Sequence, residues 1–312
     1  MTETAIMLSR LARAIGGEPD RNLVLAFEGS YHELGIGACS LSAITARIDF
    51  CGPFAPGVHH VSPQGSWTGN IKNALDELSA ERVTAVIFEP QMGSLGIIPE
   101  PDDLRALARL CRDAGVHLIA DEVTTGCGRT GAMSRTLDPG IEPDLLVLGK
   151  NLTSGYVPVA ALMVSAALYE LAANPDPPRF LPAGSATDGH PVACAAGLAV
   201  LGTYHRDDIL AHVRRTGAML RERLETVHAK WIAEGSVAGA GLMIHFPLLQ
   251  AGGEPWTFPA PEAFGTECEN NGLLVSASMH GAWVVPPLTA TEDDCAEIAS
   301  IFDQALTQGG AA

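Results

Sequence analysis

Five short segments of this chain are predominantly apolar along their whole length, without the alternation that marks a half-exposed strand. They are residues 23–28 (LVLAFE), 83–88 (VTAVIF), 116–120 (VHLIA), 145–148 (LLVL) and 159–164 (VAALMV). Segments with helical periodicity lie among them at 4–15, 71–79 and 102–114. Strands that are apolar on both faces and separated by helices build a mainly parallel sheet sandwiched by helices, an α/β fold. In such sheets ligands bind beyond the carboxyl ends of the strands. Glu89, Asp121 and Lys150 each stand at such an end. One mouth of the sheet thus collects two carboxylates and a lysine.

The pattern changes after residue 190. Residues 190–204 and 207–229 read as long helices, and a mixed region rich in Gly and Pro follows from 234 to 288. A final helix begins near Thr291, where Thr291-Glu292-Asp293-Asp294 resembles a capping box with Asp at its third helical position. Gly115 reads as the residue that ends the 102–114 helix. These changes place a boundary near residue 205, with residues 1–205 as a large domain and 206–312 as a smaller α+β domain.

Acidic residues number 36 against 19 basic ones, a net charge of −17. Phosphate contacts need clustered Lys and Arg, so neither nucleic acid nor an anionic membrane surface is an expected partner. No stretch approaches the roughly 20 apolar residues of a membrane span. The opening MTETAIMLSRLARAIGG reads as an amphipathic helix and not as a secretory signal, because no basic region leads into an apolar run. Seven scattered cysteines without a CxxC fit reduced thiols in a cytoplasmic protein. His59, His60, His190 and Asp121 match no metal-ligand spacing, and no metal is expected.

Position alone leaves two readings of Lys150. It is a lysine reaching from a strand end to water, or an amine in a partly desolvated pocket whose lowered pKa makes it a nucleophile for Schiff-base chemistry. Asp121 is a turn former, or a buried carboxylate that keeps a ring nitrogen protonated. Glu122 points the other way along the strand and reads as structural. The run Gly126-Cys127-Gly128-Arg129-Thr130-Gly131 matches GxGxxG, but AMSRTLDPG after it opens no helix, so a nicotinamide site is rejected. Cys127 reads as packing.

Seven stretches, in order along nearly the whole chain, carry a family resemblance. They are Thr2-Glu3 with LSRLAR; FEGSYHELGIGACS; VIFEPQMGSLGIIP; LIADEVTTGCGRTG; PDLLVLGKNLTSGYVPVAALMVS; GHPVACAAGLAVL; and VVPPLTATEDD. Together they resemble the class III (ω-type) aminotransferases, fold type I enzymes that use pyridoxal 5'-phosphate. The resemblance implies that Lys150 forms the internal aldimine and then shuttles a proton between substrate and cofactor. It implies that Asp121 pairs with the pyridine nitrogen, and that Val123 and Tyr31 cover the two ring faces. Glu89 is implied near Asp121 and the ring's 3′-oxygen, and His32 joins the cofactor-binding set. Thr2 is implied to meet the phosphate where α-helical N–H groups favour an anion. The implied partners are a small-molecule amino donor and an oxo acceptor, in a homodimer or hetero-oligomer.

Several positions depart from the family's pattern. Thr124 stands where the family has a Gln that touches the phenolic oxygen. Glu33 replaces a Gly. Ala186 replaces a Thr that reaches the phosphate, with Thr187 one residue late. Trp283 replaces an Arg that grips a carboxylate, which implies a preference for an amine or bulky amino compound over ornithine-like or 4-aminobutyrate-like donors. Met1 stands where the Gly of the phosphate loop belongs, so the family's N-terminal segment is expected to be lacking. A second expectation stands beside the active aminotransferase: a catalytically weak or inactive aminotransferase-like subunit that assembles with a partner chain. An aminomutase or decarboxylase on the same scaffold is the third.

Overall fold

The computed structural model of the chain describes residues 1–43, 52–173, 180, 183–232, 235–250 and 253–308. The apolar segments become β1 (Leu23–Phe27), β3 (Val83–Phe88), β4 (His117–Asp121), β5 (Leu145–Leu148) and β6 (Ala161–Val164), joined by β2 (Val58–Val61). They form one sheet in the order β2-β1-β3-β4-β5-β6. The pairs from β2 through β5 are parallel, and β6 turns back antiparallel on β5. β2 is absent from the sequence reading because its core is His59-His60. It lies at the sheet edge and is only partly buried, so polar side chains are tolerated there.

Helices α1 (Thr2–Ile15), α2 (Ile36–Cys39), α3 (Trp67–Leu78), α4 (Pro101–Asp113), α5 (Ala166–Ala173) and α6 (Pro191–Arg206) accompany this sheet. Ala5, Leu8 and Ala12 of α1 cluster with Val24, Ala26, Ile87, Ile119, Leu145 and Val147. The alternate residues Phe27 and Phe88 face the opposite way and meet Trp67 of α3, with ring centroids 4.3 and 6.4 Å apart. Both faces are therefore covered, which is why these strands lack polar alternation. α4 begins with Pro101 and two acidic residues in its first turn. It ends as a Schellman turn, with Gly115 at φ +60° and the Val116 N–H on the Cys111 carbonyl at 2.7 Å. Asp103 of α4 accepts from the Trp67 N–H at 2.7 Å and fixes the start of α3.

The described chain divides into two units. The first, Met1–Pro90, Pro99–Cys127 and Ser134–Leu201, holds the six-stranded sheet. The second, Gln91–Ile98, Gly128–Met133 and Gly202–Ala312, holds an antiparallel sheet of β7 (Ala238–Ala240), β8 (Met243–Phe246), β9 (Ser276–Ser278) and β10 (Gly281–Val284), ordered β7-β8-β10-β9. Helices α7 (Ile209–Trp231), α8 (Ala260–Asn270) and α9 (Glu292–Gln308) belong to it. Its core centres on Phe302, whose ring lies 5.1 Å from Phe246 and 5.2 Å from Phe264. The capping box at α9 is present in both directions. Thr291 N–H donates to Asp294 Oδ2 at 2.7 Å, and Asp294 N–H donates to Thr291 Oγ1 at 3.2 Å. The loop 91–98 lies against β10 so closely that a Cβ on Gly93 would stand 1.1 Å from Trp283 Cη2.

Residues 126–131 form turns and no helix. A Cβ at Gly126 would meet the Glu122 carbonyl at 2.8 Å, so this glycine serves close packing beneath the strand end. Cys127 is buried, and burial pushes its thiol up to about 11. Among the described residues, no helix is long and apolar enough to cross a membrane, and no group of three His, Cys, Asp or Glu is placed to hold a metal.

Candidate active site

The parallel register brings the strand ends level. Phe88 is paired with Ala120, and Asp121 with Val147, so Glu89 and Asp121 emerge side by side and Lys150 follows one strand over. Asp121, the last residue of β4, is buried, and its Oδ2 lies 2.7 Å from His32 Nδ1. Its Oδ1 accepts from the Val123 N–H at 3.1 Å, closing a turn over the strand end. Glu89 Oε1 accepts from the Tyr31 N–H at 2.9 Å. Ser42 holds the other side of this loop, accepting from the His32 N–H at 2.7 Å. Tyr31, His32, Glu89 and Asp121 are thus one hydrogen-bonded group at the mouth of the sheet.

The electrostatics of this group follow from its burial. Burial opposes charge on His32, but the hydrogen bond to the Asp121 carboxylate and the negative charges of Asp121, Glu89 and Glu33 prevail, so its pKa is raised. His32 Nε2 is buried without a hydrogen-bond partner. Burial pushes the Glu89 carboxyl up to about 7; Asp121 adds to the rise, while His32, the Tyr31 N–H and Lys150 oppose it. The site therefore carries one buried carboxylate backed by an imidazole, beside a second carboxyl poised to hold a proton.

Lys150 opens a short 3₁₀ turn directly after Gly149, at φ +40°, in the left-handed region. Its Nζ donates to Thr124 Oγ1 at 2.5 Å. A Cβ on Gly149 would stand 3.3 Å from Val123 Cγ1, so the ends of β4 and β5 are packed together here. Lys150 is exposed in this chain, as in the first of the two readings its position left open. The reason is its place two residues past the strand, on a turn at the sheet's rim. Glu122 does turn away from this cluster. Its fully buried carboxylate accepts from Ser134 Oγ at 2.5 Å and from the N–H groups of Arg135 at 2.8 Å and Thr136 at 2.7 Å.

Thr2 is the first residue of α1, and its buried hydroxyl has no hydrogen-bond partner. No side chain caps this helix end. Thr187 lies on an exposed turn, its hydroxyl 2.9 Å from Ser185 Oγ, and its contacts are local. The geometry thus joins Tyr31, His32, Glu89 and Asp121 by hydrogen bonds, joins Thr124 to Lys150, seats Val123 against Gly149, and leaves Thr187 apart. Glu33 sits at φ +87°, a conformation that glycine adopts freely and glutamate does not. The sequence reading missed Ser42 as the residue that holds the His32 backbone, since nothing local distinguishes that serine from its neighbours.

The family model for aminotransferase class-III matches residues 1–306. The gamma-aminobutyrate transaminase 1, mitochondrial, of Oryza sativa subsp. indica is 30% identical over 314 residues, covering 93% of this chain. The chain spans 60% of that relative's length. The omega-aminotransferase of Caulobacter vibrioides is 30% identical over 325 residues, covering 98% of this chain and 73% of the relative. The crystal structure of an amine transaminase from an uncultivated Pseudomonas species, in its PLP-bound internal aldimine form, superposes with a TM-score of 0.93 at 29% identity, over 99% of this chain and 74% of that one. The architecture is that of fold type I pyridoxal-phosphate-dependent transferases. With the match running from residue 1 into the last helix, this chain belongs to the class-III aminotransferase family.

Proposed function

We propose that the chain is a pyridoxal-phosphate-dependent aminotransferase, moving an amino group between an amine or amino acid and an aldehyde or oxo acid. The observation that carries this reading is the set of strand ends: Lys150 beyond β5 beside Asp121 at the end of β4, with His32 on the Asp121 carboxylate. The residues present fit the cofactor. Thr2 offers an orphaned buried hydroxyl at an uncapped helix start, the donor set an anion needs. Thr2 would meet the phosphate, and Asp121 the ring nitrogen. Tyr31 and Val123 would lie on the ring faces, and Lys150 would hold the aldehyde carbon. Thr187 stands apart from these residues within the chain and would reach a phosphate only across a subunit interface. When bound, pyridoxal phosphate supplies a carbonyl for amine exchange and a ring that takes up electrons.

The protein's own part is electrostatic. One Asp121 oxygen lies against His32 Nδ1 and the other accepts from the Val123 N–H. A carboxylate so placed holds a proton on a ring nitrogen set against it. Glu89 takes up a proton near neutral pH, so it adds little second negative charge beside Asp121. Lys150 is the mobile base and acid, carrying a proton on Nζ. The alternative of an inactive subunit has no support in the relatives, which are transaminases by name.

Residues 1–205 form the cofactor-binding part in this proposal, and 206–312 the smaller one. A homodimer is proposed too. It is supported by the apolar side chains left exposed along α6, with Val192 62%, Leu198 71% and Leu201 38% exposed. Reduced thiols such as buried Cys111 and Cys268, each pushed up to about 12 by burial, support a cytoplasmic setting. The test is direct. Purified protein is incubated with pyridoxal phosphate, treated with borohydride, and the modified peptide located by mass. Attachment at Lys150, lost in Lys150→Ala, together with amine-to-ketone transfer, supports the reading. Attachment elsewhere overturns it.

A further inference from the structure

We propose that Thr124 is a positioning residue for Lys150, its hydroxyl oxygen tying the lysine amine to the same turn that holds Asp121. The proposal rests on the aminotransferase reading and concerns how this chain steers its lysine.

Three observations carry it. The first is the contact itself, Lys150 Nζ to Thr124 Oγ1 at 2.5 Å. The second is that the acceptor is held in place. The turn carrying Thr124 is pinned on one side by the Val123 N–H on Asp121 Oδ1 at 3.1 Å, and on the other by the Gly126 N–H on the Glu122 carbonyl at 3.0 Å. The Glu122 side chain anchors the turn from below through Ser134, Arg135 and Thr136. Threonine is also β-branched, so its hydroxyl has few directions to take. The third is that the lysine backbone is held in an unfavoured shape. Lys150 sits at φ +40°, and a Cβ on Gly149 before it would press on Val123 Cγ1 at 3.3 Å.

The family resemblance makes the substitution meaningful. A glutamine at this place reaches past the turn, whereas threonine keeps its oxygen close to the backbone, within reach of the amine. A lysine has four rotatable side-chain bonds, and ordering it is entropically costly. A fixed acceptor lowers the number of places from which the amine delivers or removes a proton, and such orientation is worth large factors in rate. Asp121 and Lys150 are thus registered to each other through two residues of one turn.

The experiment compares Thr124→Val, which keeps the shape and removes the acceptor, with Thr124→Ser, which keeps the acceptor. Thr124→Ala serves as a second acceptor deletion and is expected to behave as the valine variant does. In the holoenzyme, Thr124→Val should lower kcat about tenfold or more with KM within about twofold, and Thr124→Ser should restore most of it. The cofactor-free protein gives an independent readout: reductive methylation of Lys150 by formaldehyde and cyanoborohydride, followed at the Lys150 peptide by mass. A hydrogen bond to Thr124 favours the ammonium, so its loss should speed labelling about threefold or more, with Thr124→Ser at the wild-type rate. Labelling of both acceptor deletions at the wild-type rate overturns the proposal whatever the activity. Labelling as expected in a wild-type chain that transfers no amino group sinks the aminotransferase reading and leaves the Thr124–Lys150 link standing.

Discussion

Replacing Glu89 by glutamine tests whether the mouth of the sheet is as dry as the structure shows. The Glu89 side chain is 7% exposed, and burial lifts its carboxyl from 4.5 to about 7. The folded protein therefore holds this proton more tightly than the unfolded chain does. A raised folded pKa means stability that is fully present below about pH 4.5 and is lost as pH rises through about 7. The rise corresponds to about 3 kcal/mol between those limits. Glutamine copies the protonated carboxyl and keeps an oxygen for the Tyr31 N–H, which donates to Glu89 Oε1 at 2.9 Å. Glu89→Gln should therefore match the wild type near pH 4.5 and exceed it by up to about 3 kcal/mol at pH 8.5. Urea unfolding of both proteins at several pH values reads this directly, provided both transitions are two-state. Parallel stability curves across the whole range would refute the argument, since they would mean that Glu89 is ionised in the folded state at no cost.

The other predictions concern further residues of the chain. Asp121→Asn should retain cofactor but lose transamination about a hundredfold or more, because a neutral amide no longer holds a ring proton; near-normal turnover would remove Asp121 from its role. Glu33→Gly should stabilise the fold by up to about 1 kcal/mol, relief of a left-handed glutamate offset by a looser unfolded chain, and a lowered urea midpoint would contradict the φ of +87°. Glu122→Gln places an NH₂ group against the N–H groups of Arg135 and Thr136 and should cost about 2–4 kcal/mol in unfolding free energy; an unchanged midpoint would deny that this carboxylate organises the turn. With Trp283 where carboxylate-gripping members have arginine, half-reaction rates across a donor panel should favour amines and bulky amino compounds, and fast turnover of acetylornithine-like donors alone would sink that preference.

Much of the sheet was legible from residue order because burial on both faces leaves only apolar side chains, and the strand ends are where charge begins. Glu89, Asp121 and Lys150 stand out for that reason alone. The capping box at Thr291 and the Gly115 stop are local, and local chemistry is readable locally. β2 was hidden because a partly buried edge strand tolerates two histidines. α5 (Ala166–Ala173) was hidden too, since the apolar run before it reads as strand and masks its start.

The sequence by itself determined which residue types gather at one end of the sheet, because connection order and apolar periodicity dictate which strand ends lie level. Only the tertiary structure decided who touches whom. It set His32 on Asp121, Tyr31's N–H on Glu89 and Lys150 on Thr124, contacts between residues 26 to 89 positions apart. It also moved the Glu89 carboxyl to about 7 and put Lys150 in the open. Hydrogen bonds and pKa values depend on distances of a few ångströms and on how much water is excluded, and both arise when distant segments pack, so no local pattern of residues encodes them.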